Sequence, residues 1–274
     1  MTPSVYKKIA VASTFSPRFM QVLSEANRIR TRLGSSLSLI YVGERSADTD
    51  RKFSEVVTQL QLPSDSAILY THGDPATGIL HTLTDNKIDM VVAGALEKEV
   101  VLHPFLGNVA RRLVREAICS VMLFTRPDVN PKPLRRMVFV ADYSVHALQA
   151  LRKALLLALA ESCERLYVIR IFTTFDEIRA ARESGTEPRD KAAPLDDEEA
   201  ALEAFVLSAG TTEVPIETRC IRGNTGFAAA DFVQSVEADL LVVPAPPVKE
   251  GGEALPSNIS WITDVIPCNL WVIR

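Results

Sequence analysis

Short unbroken apolar runs alternate along this chain with longer stretches whose apolar residues recur every three or four positions, the two rhythms of buried strands and amphipathic helices. Ile9-Ala10-Val11-Ala12 is the first run. Ser16-Pro17 then supplies an N-cap with proline at the first helical position, Met20, Leu23, Ala26 and Ile29 share one face, and Gly34 stands where a left-handed cap ends the helix after Leu33. Leu37 to Val42 predicts a second strand, and Phe53, Val56, Val57 and Leu60 mark a second helix. A third strand, Ala67 to Thr71, leads through Gly73-Asp74-Pro75 into a helix ending near Asn86. Met90 to Ala93, a long connection to Gly107-Asn108, a helix from Val109 to Ala117 and a strand from Val121 to Phe124 complete the pattern.

The pattern then repeats. Ile88-Asp89-Met90-Val91-Val92-Ala93 returns as Ala238-Asp239-Leu240-Leu241-Val242-Val243, and Ala117-Ile118-Cys119-Ser120 returns as Ile266-Pro267-Cys268-Asn269. Strands are predicted near 137–141, 166–172, 215–221, 239–243 and 269–273, after a linker at Asn130-Pro131-Lys132-Pro133. Strands that are apolar on both faces and separated by helices must be parallel and covered on both sides. The expectation is an α/β chain of two tandem doubly wound domains, each on a five-stranded parallel sheet. The expected domains are 1–128 and 135–274, the second with an insertion near 173–198 whose charged residues, with Gly185, Pro188 and Pro194, read as a partly helical surface loop. Both end strands are short and apolar, so Val121 to Phe124 is expected to pair with Asn269 to Ile273, making the chain an intramolecular pseudo-dimer.

Composition narrows the function classes. The length of 274 residues suits two domains, and a net charge of -4 gives no electrostatic reason to expect a nucleic-acid partner. No apolar run approaches the roughly 20 residues of a membrane span, and no charged-then-apolar leader precedes Ile9, so a cytoplasmic protein is expected. Cys119, Cys163, Cys220 and Cys268 form no C-x-x-C pair, and His72, His81, His103 and His146 lack metal-ligand spacing. Cys119 and Cys268 share a repeat position and read as buried small hydrophobes.

In an open parallel sheet, ligands sit beyond the carboxyl ends of the strands where the strand order reverses. Three loops per repeat meet that condition: Ser13-Thr14-Phe15-Ser16 against Ala141-Asp142-Tyr143-Ser144, Gly94 to Asn108 against Pro244 to Ser257, and Gly73-Asp74-Pro75 against Gly223-Asn224-Thr225. These residues carry a resemblance. The Asp142-Tyr143-Ser144 turn, the Gly73-Asp74-Pro75-Ala76 turn, Ala238-Asp239, Pro267-Cys268 and the stretch Leu106-Gly107-Asn108-Val109 are similar, in order and spacing, to a tandem universal stress protein.

The resemblance implies an adenine nucleotide alpha hydrolase-like fold and, as in many members, a pocket for ATP or another adenine nucleotide. That pocket uses glycines so that backbone N–H groups can approach phosphates, with a hydroxyl at the following helix start. Carried over, it selects Thr14, Tyr41, Val42, Gly94, Glu97, Gly107, Asn108 and Val109 in the first domain, and Asp142, Pro244, Ser257 and Asn258 in the second. Glu97 stands at the middle glycine, Asn108 at the hydroxyl and Thr14 at an aspartate. A carboxylate beside a triphosphate of charge about -3 to -4 costs on the order of 1 kcal/mol or more. In the second domain Asp142 survives, but Pro244 and Pro256 replace glycines and remove N–H donors.

Nucleotide binding is therefore expected to be weak and confined to the first domain. With no Ser-His-Asp order and no lysine after a phosphate-loop glycine, the sequence points to a non-enzymatic stress-response or regulatory binding protein. A slow ATPase and a sensor domain for another small ligand are the alternatives. Self-association, as pseudo-dimer or homodimer, and a protein partner are the expected interactions.

Overall fold

The fold rests on parallel strands joined by helices that carry the chain back to the same end of the sheet. It is seen here in a computed structural model that describes residues 5–13, 15–95, 106–172, 193–223, 225–248, 255, 259–264 and 266–274. The chain divides into two compact units, the first built from the chain up to Lys132 together with Asn269–Arg274, the second from Pro133–Pro246 and Leu255–Cys268.

In the first unit β1 (Lys8–Ser13), α1 (Phe19–Leu33), β2 (Ser36–Val42), α2 (Ala47–Gln59), β3 (Ala67–Thr71), α3 (Pro75–Asp85), β4 (Met90–Gly94), α4 (Asn108–Glu116) and β5 (Ser120–Phe124) follow in order. The parallel strands lie in the order β3-β2-β1-β4-β5. The chain thus moves outward from β1 to β3, then returns to β4 and β5. With right-handed crossovers the two directions put α1 and α2 on one face, and α3 and α4 on the other. β4 and β5 are buried almost throughout, as a central parallel strand must be.

The helix ends show the local chemistry. Gly34 closes α1 in the left-handed conformation at φ 65°, and Ser35 N–H donates to Arg30 O at 2.9 Å. Asp74 caps α3 by accepting from Thr77 N–H, with Pro75 in the first turn. Ser16 is not the cap of α1. Phe19 N–H donates to Ser16 O at 3.0 Å, and Arg18 has φ -100° and ψ 7°, so Ser16-Pro17-Arg18-Phe19 is a type I turn leading into a helix capped at Arg18. That shift places Phe19 and Val22 in the core beside Leu23, Ala26 and Ile29, and leaves Met20 only half-buried.

One carboxylate fastens the centre of the sheet. Asp89, just before β4, accepts from the backbone N–H groups of Lys7 and Lys8 at 2.8 and 2.9 Å. The two donors that open β1 are thereby satisfied by the strand next to it, with Ile9 opposite Met90.

The strand Asn269–Ile273 (numbered β10 below) belongs to this unit. It pairs antiparallel with β5, Leu270 opposite Leu123 and Val272 opposite Val121, as the two apolar end strands predict. Polar groups hold both ends of the pair. Thr125 N–H donates to Asn269 Oδ1 at 2.9 Å, while the Ser120 hydroxyl meets the buried Tyr6 hydroxyl at 2.9 Å and accepts from Arg274 N–H at 3.1 Å.

The second unit repeats the plan with β6 (Arg136–Val140), α5 (Val145–Ala160), β7 (Arg165–Phe172), α6 (Ala193–Ser208), β8 (Ile216–Arg222), α7 (Thr225–Ser235) and β9 (Leu240–Pro244), then a 3₁₀ turn at Ser260–Thr263 and, in the other unit, β10. Its parallel strands lie in the order β9-β6-β7-β8. The carboxylate clamp recurs: Asp239 accepts from Arg135 and Arg136 N–H at 2.7 and 2.8 Å. Of the expected insertion, 173–192 lie outside the described residues, and its last positions fall in α6. Among the described residues no helix is long and apolar enough to cross a membrane.

Asp89→Ala is expected to lower the free energy of unfolding by about 1–2 kcal/mol, the range for a partly exposed charged acceptor that loses two backbone donors. Asp239→Ala should cost a similar amount, and Asp85→Ala on the exposed face of α3 less than about 0.5 kcal/mol. Urea titrations of the three variants compare them directly; equal midpoints would show that the clamp contributes nothing.

Candidate functional site

Where β1 and β4 lie side by side and the chain turns away from them in opposite directions, the carboxyl ends of the strands are left uncovered by a connecting loop. A cavity of about 190 Å³ opens there in the first unit. β1 gives it Val11 and Ala12, α1 gives Phe19 and Val22, and the turn before α1 gives Ser16 and Arg18. Val42 at the end of β2, Pro75 and Ile79 of α3, Ala93 and Gly94 at the end of β4, Ala95 just after it, and Gly107, Val109 and Ala110 around the start of α4 complete the wall.

The two glycines of the wall are small for different reasons. A Cβ on Gly94 would lie 3.0 Å from Val22 Cγ2, so this glycine lets α1 close onto the end of β4. Gly107 is the N-cap of α4, with φ -62° and ψ 159°, a conformation open to any residue, and no side chain caps the helix start. The first intrahelical bond runs from Arg111 N–H to Gly107 O, so the N–H groups of Asn108, Val109 and Ala110 have no intrahelical acceptor and, among the described residues, no side chain caps them. The start of α3 differs. There Asp74 accepts from Thr77 N–H and Oγ1 and from Arg112 at 2.7 Å, and Thr77 followed by Arg112 holds its carboxyl below the usual range. Arg112 is also bound to Glu116 at 3.0 Å.

Of the residues selected from sequence, the structure brings Val42, Gly94, Gly107 and Val109 together on one cavity. Asn108 is the exposed first residue of α4 and is not part of the wall. Thr14, Glu97, Ser257 and Asn258 lie outside the described residues. Tyr41 turns into an aromatic cluster instead, its ring centre 5.3 Å from Phe15, 5.6 Å from Phe53 and 5.8 Å from Tyr70. Gly43 makes room for it, since a Cβ there would fall 2.7 Å from the Tyr41 ring. Tyr70 in turn donates to Asp50 at 2.7 Å, and Lys52 sits 5.4 Å over Phe15.

The same layer of the second unit is polar. Tyr143 takes the place of Phe15, Arg170 that of Tyr41, Phe205 that of Phe53, and Cys220, opposite Arg170 in the β7–β8 register, that of Tyr70. Tyr143 has a left-handed backbone at φ 60°, unusual for a bulky residue. Its hydroxyl donates to Glu198 of α6 at 3.0 Å, the Arg170 guanidinium lies 5.0 Å over its ring and Phe205 packs at 5.6 Å. Asp142 is engaged as well: its Oδ1 accepts from Ser144 N–H at 2.9 Å, and Ser144 caps α5. Pro244 is buried at the end of β9, and Trp261 stands so close to α7 that a Cβ on Gly226 would lie 3.0 Å from it.

Sequence reasoning missed Arg18, Phe19, Val22 and Ile79 in the cavity wall. For Phe19 and Val22 the available signal was the apolar face of α1, once its start is moved past the Ser16-Pro17 turn.

The thiols are not activated. Burial raises Cys119 from the ordinary 9.0 to about 12, and burial followed by Glu198 raises Cys220 to about 11.

A model of the universal stress protein family matches residues 5–125 and 133–274. The chain belongs to the universal stress protein family. A comparison with curated proteins found no match. Among solved structures, a functionally unknown protein from Pseudomonas aeruginosa PAO1 is 14% identical at a TM-score of 0.73, over 98% of this chain and 93% of that one. A putative universal stress protein from Pseudomonas aeruginosa UCBPP-PA14 is 14% identical at 0.72, covering 98% and 94%. A universal stress protein from Archaeoglobus fulgidus DSM 4304 is 15% identical at 0.61, covering 97% and 96%. At such identities the likeness is one of fold.

Two predictions follow from this geometry. Gly94→Ala should destabilise the protein by about 1–2 kcal/mol through overpacking, and Val22→Ala in the same chain should recover much of that loss. Additive effects in a double-mutant cycle would refute the contact. The second concerns alkali. Folding favours the protonated Cys119 thiol, whose pKa it raises from 9.0 to about 12, so its contribution is full below about pH 9 and is lost as pH climbs toward 12. Stability measured between pH 8 and 11 should therefore fall, and fall less in Cys119→Ala.

Proposed function

We propose that this protein is a non-enzymatic stress-response or regulatory binding module of the universal stress protein type, in which the first of its two repeats, 1–128, takes the ligand. The observation that carries the reading is the cavity at the reversal of the strand order, where Val42, Gly94, Gly107 and Val109 converge. The second repeat, 135–274 with its insertion near 173–198, takes a supporting role. There Asp142 is spent on its own turn, and Pro244 offers no N–H at the position of Gly94. Thiols held in the protonated form, the buried Cys119 and the half-buried Cys220, favour binding over thiolate chemistry. The β5–β10 pairing supports a chain that supplies within itself what a one-repeat protein obtains from a second copy.

A second reading is weak adenine-nucleotide binding by the first repeat, with slow ATP hydrolysis at most. The start of α4 favours it, because among the described residues no side chain caps its first N–H groups, and such groups attract anionic oxygens. Glu97 and the non-glycine loop around it argue for low affinity.

Native mass spectrometry of the full chain, purified without added nucleotide, tests the main reading. One small molecule per chain is expected, and it should be lost in Val109→Trp, which fills the mouth of the cavity while the melting temperature is kept. Two molecules per chain, or one retained in Val109→Trp, would place the binding elsewhere.

A further inference from the structure

We propose that the groove between α5 and the end of α6, in the second unit, seats a second copy of this chain in a twofold-symmetric dimer. The groove has a volume of about 600 Å³. α5 gives it Arg152, Leu155, Leu156 and Leu159, and the stretch that follows α6 gives it Ala209 and Glu213. All of them lie well inside the described stretches 106–172 and 193–223. The two helices run side by side, and Arg152 joins them by donating to the carbonyls of Ser208 and Ala209 at 3.0 and 3.4 Å.

The apolar surface here is not something the fold requires, because the first unit builds the same two helices without it. Leu156 and Leu159 are 40% and 50% exposed, and Leu207, two residues before Ala209, is 77% exposed. The left-handed Gly34 and the bond from Ser35 N–H to Arg30 O match the left-handed Ser162 and the bond from Cys163 N–H to Ala158 O, which aligns Arg28 with Leu156 and Thr31 with Leu159. On α2, the counterpart of α6, the exposed residues from Arg51 onward are Arg51, Lys52, Ser54, Glu55, Thr58 and Gln59. A single exposed leucine is ordinary, but three on neighbouring turns, at positions that are polar in the other repeat, mark a surface meant to be covered.

Shape and charge both favour the same chain as the occupant. A groove and a projecting leucine lie next to one another, and a twofold axis between them lets Leu207 of each copy enter the groove of the other, since in such an interface each contact is made twice. The charges follow the same rule. The acceptors of Arg152 are neutral carbonyls that leave its positive charge unanswered, and Glu213 makes no hydrogen bond or ion pair among the described residues. The groove wall thus offers one positive and one negative side chain, each lacking an opposite partner. Such a wall is complementary to itself, Arg152 of one copy meeting Glu213 of the other, whereas a basic or an acidic peptide would satisfy one charge and be repelled by the second.

Sedimentation equilibrium of the full chain tests this. Expected is a monomer–dimer equilibrium with a Kd on the order of micromolar. Leu159→Glu and Leu207→Glu, both at exposed positions, should leave the melting temperature unchanged and each raise Kd at least about tenfold. The charges give a sharper readout. Arg152→Glu alone and Glu213→Arg alone set like charges against one another and should each raise Kd about tenfold, whereas an equal mixture of the two variants should dimerise as the unaltered chain does, because every contact then joins opposite charges. A monomer at every concentration would overturn the proposal. So would a dimer that both leucine variants leave intact, or a mixture no tighter than its components. A monomeric chain that binds a model amphipathic helix of leucine and lysine, and loses it in Leu159→Glu, would overturn it in favour of a helical partner.

Discussion

A carboxylate shared between two strands sets the frame for everything at the opposite end of the sheet. Asp89 holds the first two N–H groups of β1 against the start of β4, and the register Ile9 to Met90 follows. In a parallel pair the register fixed at one end is carried to the other at about 3.3 Å per residue. It therefore decides that Val11 lies opposite Val92 and that Ala12 and Gly94 flank the same cavity. A slip by one residue would turn each of these side chains to the other face. The recurrence of the clamp at Asp239 gives the repeated aspartate a structural cause that owes nothing to a ligand.

With that frame in common, the two units diverge above it. In the first, the layer beside the cavity is a cluster of Phe15, Tyr41, Phe53 and Tyr70 held mainly by ring-to-ring packing around the buried Phe53. In the second, Tyr143, Arg170, Glu198 and Cys220 occupy the layer, and each polar group must be answered by another. The left-handed backbone of Tyr143 is sustained by those contacts, since a bulky residue does not stay at positive φ unaided. The same scaffold thus keeps an open apolar pocket in the first unit and a layer of interacting polar groups in the second.

Much of this was legible in the chain itself. Alternating runs and helical periods gave the strands, Gly34 and Asp74-Pro75 gave helix ends, and the family's loop pattern pointed to Val42, Gly94, Gly107 and Val109. These are signals carried by a few neighbouring residues. What escaped depends on distant partners or on a local choice between similar turns. Ser16-Pro17 suits a helix cap and a type I turn equally well, and the turn won. Tyr41 is itself an expected ligand position, yet its ring packs against Phe53. The glycine at 94 reads as phosphate-directed until Val22 is seen against it. The double acceptance by Asp89 joins residues more than a whole βαβ unit apart, and no local pattern announces it.

The pairing of β10 with β5 bears on how the chain comes to be made. Thr125 and Asn269, which lock one end of that pair, are 144 positions apart. At a synthesis rate of about 5–20 residues per second, the first sheet stands finished except for one strand for roughly 7–30 s while its partner is still being translated. Over that interval β5, buried at every position in the mature protein, is a bare apolar edge, the kind of surface that invites pairing with another nascent chain. Chaperone demand on the ribosome should therefore concentrate on the interval between the appearance of β5 and that of β10.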